Sequence, residues 1–296
     1  IEGSVKILDA LRERAPGAAA LSADGAAAAL VDLAVWVGLL PLDAADRPNL
    51  ADALEDAIFG TDLANSISAN VERLHRAAAG VRDRIPADMW RALGFLEEWS
   101  GRPSAGHLPP FDEMRAALAA LAGYQHEAMA RDLGWLFLDL GRRLERSLFL
   151  VSVLQGAGVV NRKPGGDPWV LDALLEVVDA VLIYRERYTT PPRRQPTLHL
   201  LVADAGNPRS LAFQLARMDE HLDRLPGLPA EPGTGADPMA GVRRILAEAR
   251  SAVADLAVLD DDASLRRLVD TLNGRLPAIT ELLAHGYFIH ATIRRA

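Results

Sequence analysis

Arg131 to Gln155 read RDLGWLFLDLGRRLERSLFLVSVLQ. Apolar residues fall at Leu133, Leu136, Phe137, Leu140, Leu144, Leu148 and Val151, the recurrence of one helical face. At about 100° per residue the opposite side carries Trp135, Leu138, Phe149 and Val153. The pattern predicts a long helix that is apolar nearly all round, and therefore central and buried. Arg142, Glu145 and Arg146 fall on the same side as Trp135 and Phe149, and Arg142 and Glu145 stand at i, i+3, where they can pair. Charges on a buried helix are costly unless paired and hydrogen-bonded. A structural ion-pair network explains why the trio stays together. A pocket that takes a carboxylate or phosphate through arginine explains why it exists, as does a docking face for a partner. Gly141 beside the trio costs about 1 kcal/mol relative to Ala in mid-helix, and close approach of another helix is the expected compensation.

The same periodicity extends over nearly the whole chain, and long alternating β-branched runs are missing. Helices are expected at 2–14, 24–38, 49–58, 63–84, 87–99, 111–128, 131–155, 169–188, 208–224, 239–258 and 263–293. The last should break near Leu276-Pro277, because proline disfavours helix at the residue before it. Pro/Gly-rich stretches at Ser100–Pro110, Gly156–Pro168 and Pro226–Pro238 read as loops. The fold class is all-α, a bundle of roughly nine to eleven helices. It forms one domain over 1–296, divisible into halves 1–128 and 131–296.

Half of the 296 residues are hydrophobic, ample for a large core. No run of about 18 apolar residues offers a membrane span, and Ile1 to Ala20 show no charged-then-apolar leader. Cysteine is absent, so disulfides, thiolate metal sites and a cysteine nucleophile are excluded; a reducing cytoplasm fits. The net charge is −8 with no long basic run, which argues against nucleic acid as a partner. Lysine occurs only at Lys6 and Lys163; every other cationic residue of this kind is arginine, which binds carboxylates and phosphates bidentately.

Asn207-Pro208 is a start signal: Asn207 can cap free amides and Pro208 suits the first helical position. The stripe that follows is Leu211, Leu215, Met218, Leu222 and Leu225. A stripe with identical spacing lies 144 residues earlier, at Ile67, Val71, Leu74, Ala78 and Val81. Ser66 matches Ser210, Asn70 matches Gln214 and Arg73 matches Arg217. A weak internal duplication accounts for these matches, although any two amphipathic helices share a stripe.

Gly141-Arg142-Arg143-Leu144-Glu145-Arg146 resembles the Glu-Arg signature of the Alpha-E family. Trp135-Leu136-Phe137-Leu138-Asp139-Leu140 resembles its lead-in, Tyr184-Arg185-Glu186-Arg187-Tyr188 a Tyr/Arg helix end, and Asp204-Ala205-Gly206-Asn207-Pro208-Arg209-Ser210 an Asp-x-x-Asn-Pro-x-Ser loop. Tyr287-Phe288 resembles a C-terminal aromatic pair, and Arg82-Asp83-Arg84 with Met89-Trp90 an earlier helical segment. The resemblance covers about residue 50 to the C-terminus. A first Glu-Arg helix is missing, and Ile1-Glu2-Gly3-Ser4 resembles the continuation just after one. The resemblance therefore implies a chain cut within that motif, with half of any paired site outside it.

What the resemblance implies about function is indirect. Alpha-E domains occur beside, or fused to, circularly permuted ATP-grasp enzymes. The implied role is a helical substrate-recognition or scaffold module of an amide or peptide ligase system, with a peptide-like substrate. No cofactor is expected in this chain; ATP and Mg belong to the partner, since neither a phosphate loop nor a β-rich nucleotide fold is visible here. Ligand-binding candidates are Arg142, Arg146, Asn207, Arg209, Ser210, Arg217, Ser66 and Arg73. The alternatives are an enzyme with Glu145 as general acid/base in an arginine-lined groove, and a purely structural dimerising bundle.

Other chemistry finds little purchase. Glu72-Arg73-Leu74-His75 is the one Glu-x-x-His match, short of the set a di-iron bundle needs, so no metal site is assigned. His285 and His290 read as surface or cap residues, and His126 and His221 have no evident partners. Gly233-Thr234-Gly235 reads as a linker. Arg185 and Arg187 complement a helix C-terminus. Arg209 lies at a helix N-terminus, where a cation needs a carboxylate such as Asp204 or an anionic ligand.

Overall fold

The computed structural model describes residues 1–14, 25–44, 50–60, 63–101, 111–157, 168–228, 237 and 239–289. Among them there is no strand, and no helix is long and apolar enough to cross a membrane. The chain is an all-α bundle, as its periodicity predicts. Most of the three predicted Pro/Gly loops, together with Gly233-Thr234-Gly235 and His290, lie outside the described residues.

The chain forms two compact units. The first comprises Ile1–Trp135 with Asp172–Val178, the second Leu136–Leu171 with Asp179–Ala296. In the first, α1 (Glu2–Arg14) packs against α2 (Gly25–Trp36), and α3 (Leu50–Phe59), α4 (Ile67–Ala79), α5 (Ala87–Ser100) and α6 (Asp112–Glu127) pack each on the next. Trp99, Phe111, Ile7, Leu8 and Leu11 are among its fully buried side chains. Helix α2 stops in a Schellman turn. Gly38, at φ 73°, takes the left-handed position, with Gly38 N–H bonded to the Val35 carbonyl and Leu39 N–H to that of Ala34.

Helix α7 (Leu133–Gly156) begins in the first unit and runs on into the second. The second unit adds α9 (Val181–Arg187), α10 (Arg194–Leu198), α11 (Leu211–Arg224), α12 (Ala240–Ala254), α13 (Ala257–Asp260), α14 (Asp262–Arg275) and α15 (Pro277–Ala284). Helix α11 packs on α12, which also packs on α14 and α15.

Several expected boundaries shift for physical reasons. The single helix expected at 169–188 is two, α8 (Pro168–Val177) and α9, because Asp179 adopts φ 61° and turns the chain. The stretch after 188, where no helix is expected, holds α10 and a π-helical turn at His199–Ala203. Pro196 is tolerated there because it sits in the first turn. The segment expected at 63–84 starts at Ile67 and ends at Ala79, followed by a 3₁₀ turn at Arg82–Arg84. The segment at 239–258 ends at Ala254 before the short α13, and that at 263–293 is α14, α15 and a π turn at His285–Ile289. Helices do change at Leu276-Pro277, though Leu276 keeps a helical conformation and its bond to the Leu272 carbonyl.

The start of α11 differs from the expected cap. Ser210, not Asn207, is the N-cap: its hydroxyl accepts the Phe213 amide at 3.0 Å. Pro208 therefore lies ahead of the helix. Ser66 caps α4 in the same way, accepting the Ala69 amide at 3.1 Å. Such caps contribute about 1 kcal/mol each. The two stripes that suggested a duplication thus begin on the same capping device. They diverge at their ends, where Leu225 is buried and Val81 is 46% exposed.

Candidate functional site

The helical wheel of α7 sorts the signature into two halves. Arg143 lies within about 20° of Leu136, in the middle of the buried sector, whereas Glu145 lies about 180° from it. The structure follows that geometry. Asp139, Arg143 and Ser147 are buried, Arg142 and Arg146 half-buried, and Glu145, Gly141 and Leu138 exposed. The helix is therefore not buried all round, and Glu145 is not the buried member of an ion-pair trio. Of the second apolar stripe, Trp135 and Val153 are buried, Phe149 is half-buried and Leu138 is exposed. An added Cβ on Gly141 would meet nothing within 4 Å, so close helix approach does not explain this glycine. Gly141→Ala is expected to raise stability by about 1 kcal/mol, read as a higher urea midpoint. A lower midpoint would mean that the position cannot take a side chain.

Beneath that face lies the cluster that sequence reasoning missed. Arg143 Nε donates to Asp139 Oδ2 at 3.1 Å, and its NH1 donates to Gln214 Oε1 of α11 at 3.2 Å. His221 Nε2, one turn from the end of α11, stands 2.7 Å from Asp139 Oδ2. Gln214 in turn donates to the Pro208 carbonyl. All four side chains are buried. Burial opposes the charge on Asp139, but the His221 hydrogen bond and the charge and hydrogen bond of Arg143 outweigh it and hold the carboxyl well below its usual range. Ser147 returns its hydroxyl to the Arg143 carbonyl at 2.9 Å. The guanidinium of Arg143 also lies 5.5 Å from the Phe213 ring centre, and that of Arg217 5.2 Å. His221, which showed no partner in the sequence, is thus tied into the core.

Asp139, Arg143 and Ser147 recur every fourth residue inside the buried sector, and Gln214 and His221 stand seven apart beside the Leu211–Leu215–Met218–Leu222 stripe. Polar residues at core positions of two helices were the available signal.

The Tyr/Arg helix end, the Asp-x-x-Asn-Pro-x-Ser loop and the C-terminal aromatic pair lie in the same unit, whereas Arg82–Arg84 and Met89-Trp90 lie in the first. Arg187 at the end of α9 pairs with Asp204 of the loop before α11, rather than serving only the helix C-terminus. Asp204 is therefore engaged, and Arg209 pairs instead with Asp179 at 2.6 Å. Asn207 is fully buried. Its side chain donates to the Leu200 carbonyl at 2.8 Å and accepts the Arg209 amide at 3.0 Å, fixing the loop to the π turn. Ser210 donates to the Asp204 carbonyl at 2.6 Å. Tyr184 accepts the Arg193 amide at 3.0 Å, and Tyr188 lies 3.3 Å from His199 Nδ1. Tyr287 and Phe288 each pack on Phe137 of α7 at 5.1 Å between ring centres.

Not all candidates come together. Ser66 and Arg73 belong to the first unit, where Arg73 donates to the Asn70 side chain at 2.9 Å and to the Ala64 carbonyl. Arg217 is exposed and pairs with Glu220 at 2.6 Å. Asn207 and Ser210 are spent on local structure. Glu72 pairs with Arg76, and His75 faces Trp90 and Glu97. His285 is exposed, as expected.

A family model described as "a predicted alpha-helical domain with a conserved ER motif", Alpha-E, matches residues 2–288, which extends the match well ahead of the motifs quoted above. An uncharacterized protein of Mycobacterium bovis is 33% identical over 177 residues, covering 56% of this chain and 20% of the relative. Uncharacterized proteins of two Mycobacterium tuberculosis strains, CDC 1551 and H37Rv, match with the same identity and coverage. The chain thus spans about a fifth of the length of the curated relatives it matches. No solved structure gives a significant match. With its signature on α7 and a family match over nearly its whole length, the chain belongs to the Alpha-E family.

Proposed function

We propose that this chain is the helical recognition or scaffold module of an ATP-grasp-type amide or peptide ligase system, and that it meets its partner through the outward face of α7. The observation that carries this reading is the division of the signature. Asp139 and Arg143 face inward, locked by His221 and Gln214, while Leu138, Gly141 and Glu145 face outward with Arg142 and Arg146 at their flanks. An exposed leucine and an uncompensated glycine between charges form a face that a partner backbone can approach closely. The length of the relatives, about five times the matched stretch, leaves room for further domains on the same chain. Exposure of Glu145 weighs against a general acid/base tuned by burial.

The test is co-purification with an ATP-grasp polypeptide, together with ATP hydrolysis dependent on added peptides. Arg142→Ala and Glu145→Ala are expected to weaken association at least tenfold while leaving the thermal midpoint unchanged. Peptide-dependent turnover should require the ATP-grasp polypeptide. Turnover by the helical protein alone, or association untouched by both variants, would overturn the reading.

A further inference from the structure

Within the second unit a cleft of about 290 Å³ opens between α12 and α14. That is close to the lower end of the range for small-molecule sites, about 300–1,000 Å³. Its floor is apolar, from Ala249, Leu268, Leu272 and Leu276, all buried. Its rim is polar and of unequal charge. Arg275 is answered by Glu248 across the cleft. Arg267 is answered more weakly: among the described residues no carboxylate lies within 4 Å of its guanidinium, it donates to the Ser264 hydroxyl at 2.9 Å, and only the charge of Asp261 acts on it from further off. The nearby Asp261 spends its carboxylate on the Ser264 amide and hydroxyl at the start of α14. Two arginines of α12 are paired, Arg243 with Asp223 and Arg250 with Asp219. The lining therefore holds two arginines against one glutamate, on a chain whose net charge is −8.

We propose that this cleft binds a small apolar carboxylic acid, its hydrocarbon on the Leu268–Leu272 floor and its carboxylate on Arg267. An apolar floor favours hydrocarbon roughly in proportion to the area it covers. A guanidinium with no carboxylate within 4 Å, linked to Asp261 only through the Ser264 hydroxyl and by charge, supplies the fork geometry that a carboxylate matches. The open mouth leaves the charged end in water, so the acid need not shed its whole hydration shell. The site is remote from the Glu-Arg signature in sequence and does not depend on the role of α7.

Titration of the full chain with octanoate, octanol and octylamine tests the assignment, by calorimetry and by amide chemical shifts. Octanoate is expected to bind, shifting amides of α12 and α14, and to bind at least tenfold more tightly than octanol or octylamine. Arg267→Gln should remove that preference while keeping weak octanol binding, which reports an intact floor. Ala252→Phe, on the cleft wall, should abolish binding of all three with the thermal midpoint retained. Equal affinity for octanol and octanoate, shifts confined to other elements, or no octanoate binding up to its solubility limit would each overturn the proposal.

Discussion

Replacing Asp139 with alanine is expected to destabilise the protein by about 3–5 kcal/mol, the cost of stranding a buried partner charge. Asp139 is 1% exposed and anchors both Arg143 and His221. Its removal leaves a guanidinium in the core, held on α11 by Gln214 and the Phe213 ring. Urea unfolding measures the loss, and a change below about 1 kcal/mol would mean the cluster relaxes into water. Replacing the whole set, with Asp139→Leu, Arg143→Met and His221→Leu together, should restore most of the stability, because apolar residues often substitute for a buried ion pair without loss. The pH dependence has a definite sign. The folded chain holds the Asp139 carboxyl below its usual range, so the unfolded chain binds more protons in acid. The contribution is complete above the ordinary carboxylate value of about 3.9 and is lost as the pH falls through it toward the lower folded value. Asp139→Asn should flatten that limb of the stability profile.

The second large effect lies in the first unit. Trp99 is fully buried at the end of α5, with Phe59 at 6.4 Å and Phe111 at 5.7 Å between ring centres. Trp99→Ala should cost about 3–5 kcal/mol, the usual range for emptying so large a site. Trp99→Phe should cost far less. It keeps both ring contacts, and it removes an indole N–H that is buried without an acceptor among the described residues. Leaving such a donor unsatisfied costs about 1–3 kcal/mol, which offsets part of the lost volume. Equal losses for the two substitutions, by the same urea measurement, would show that the indole nitrogen is well served.

The fold was legible because helical period survives any tertiary context. Leu136, Leu140, Leu144 and Val151 mark one sector of α7 whatever packs on it, and all four are buried. Breaks made by single residues were not legible. Asp179 sits between Val178 and Ala180 with no glycine or proline to announce the turn, and its left-handed conformation emerges only in three dimensions. The Pro191–Pro196 run reads as a helix breaker, yet Pro196 occupies a first turn. At the site, the signature was found but its halves were exchanged. Trp135 is indeed buried, but Glu145, grouped with it on the wheel, lies far enough round to be exposed. Asp139 and Arg143 pair with each other at i, i+4, but that spacing is equally common on exposed faces, and the partners that hold the pair in the core lie 71 to 82 residues away on another helix.

The path of the chain between its two units has a consequence for inheritance. Residues 172–178 complete the first unit, and Arg14 of α1 finds Glu176 there at 2.6 Å, although 36 intervening residues belong to the second. Neither unit is one uninterrupted stretch. A gene rearrangement that cut the reading frame once, near 135, would leave the first product short of a strip of its own core and the second carrying that strip without the unit it completes. Recombination should therefore keep the second unit wherever it keeps the first.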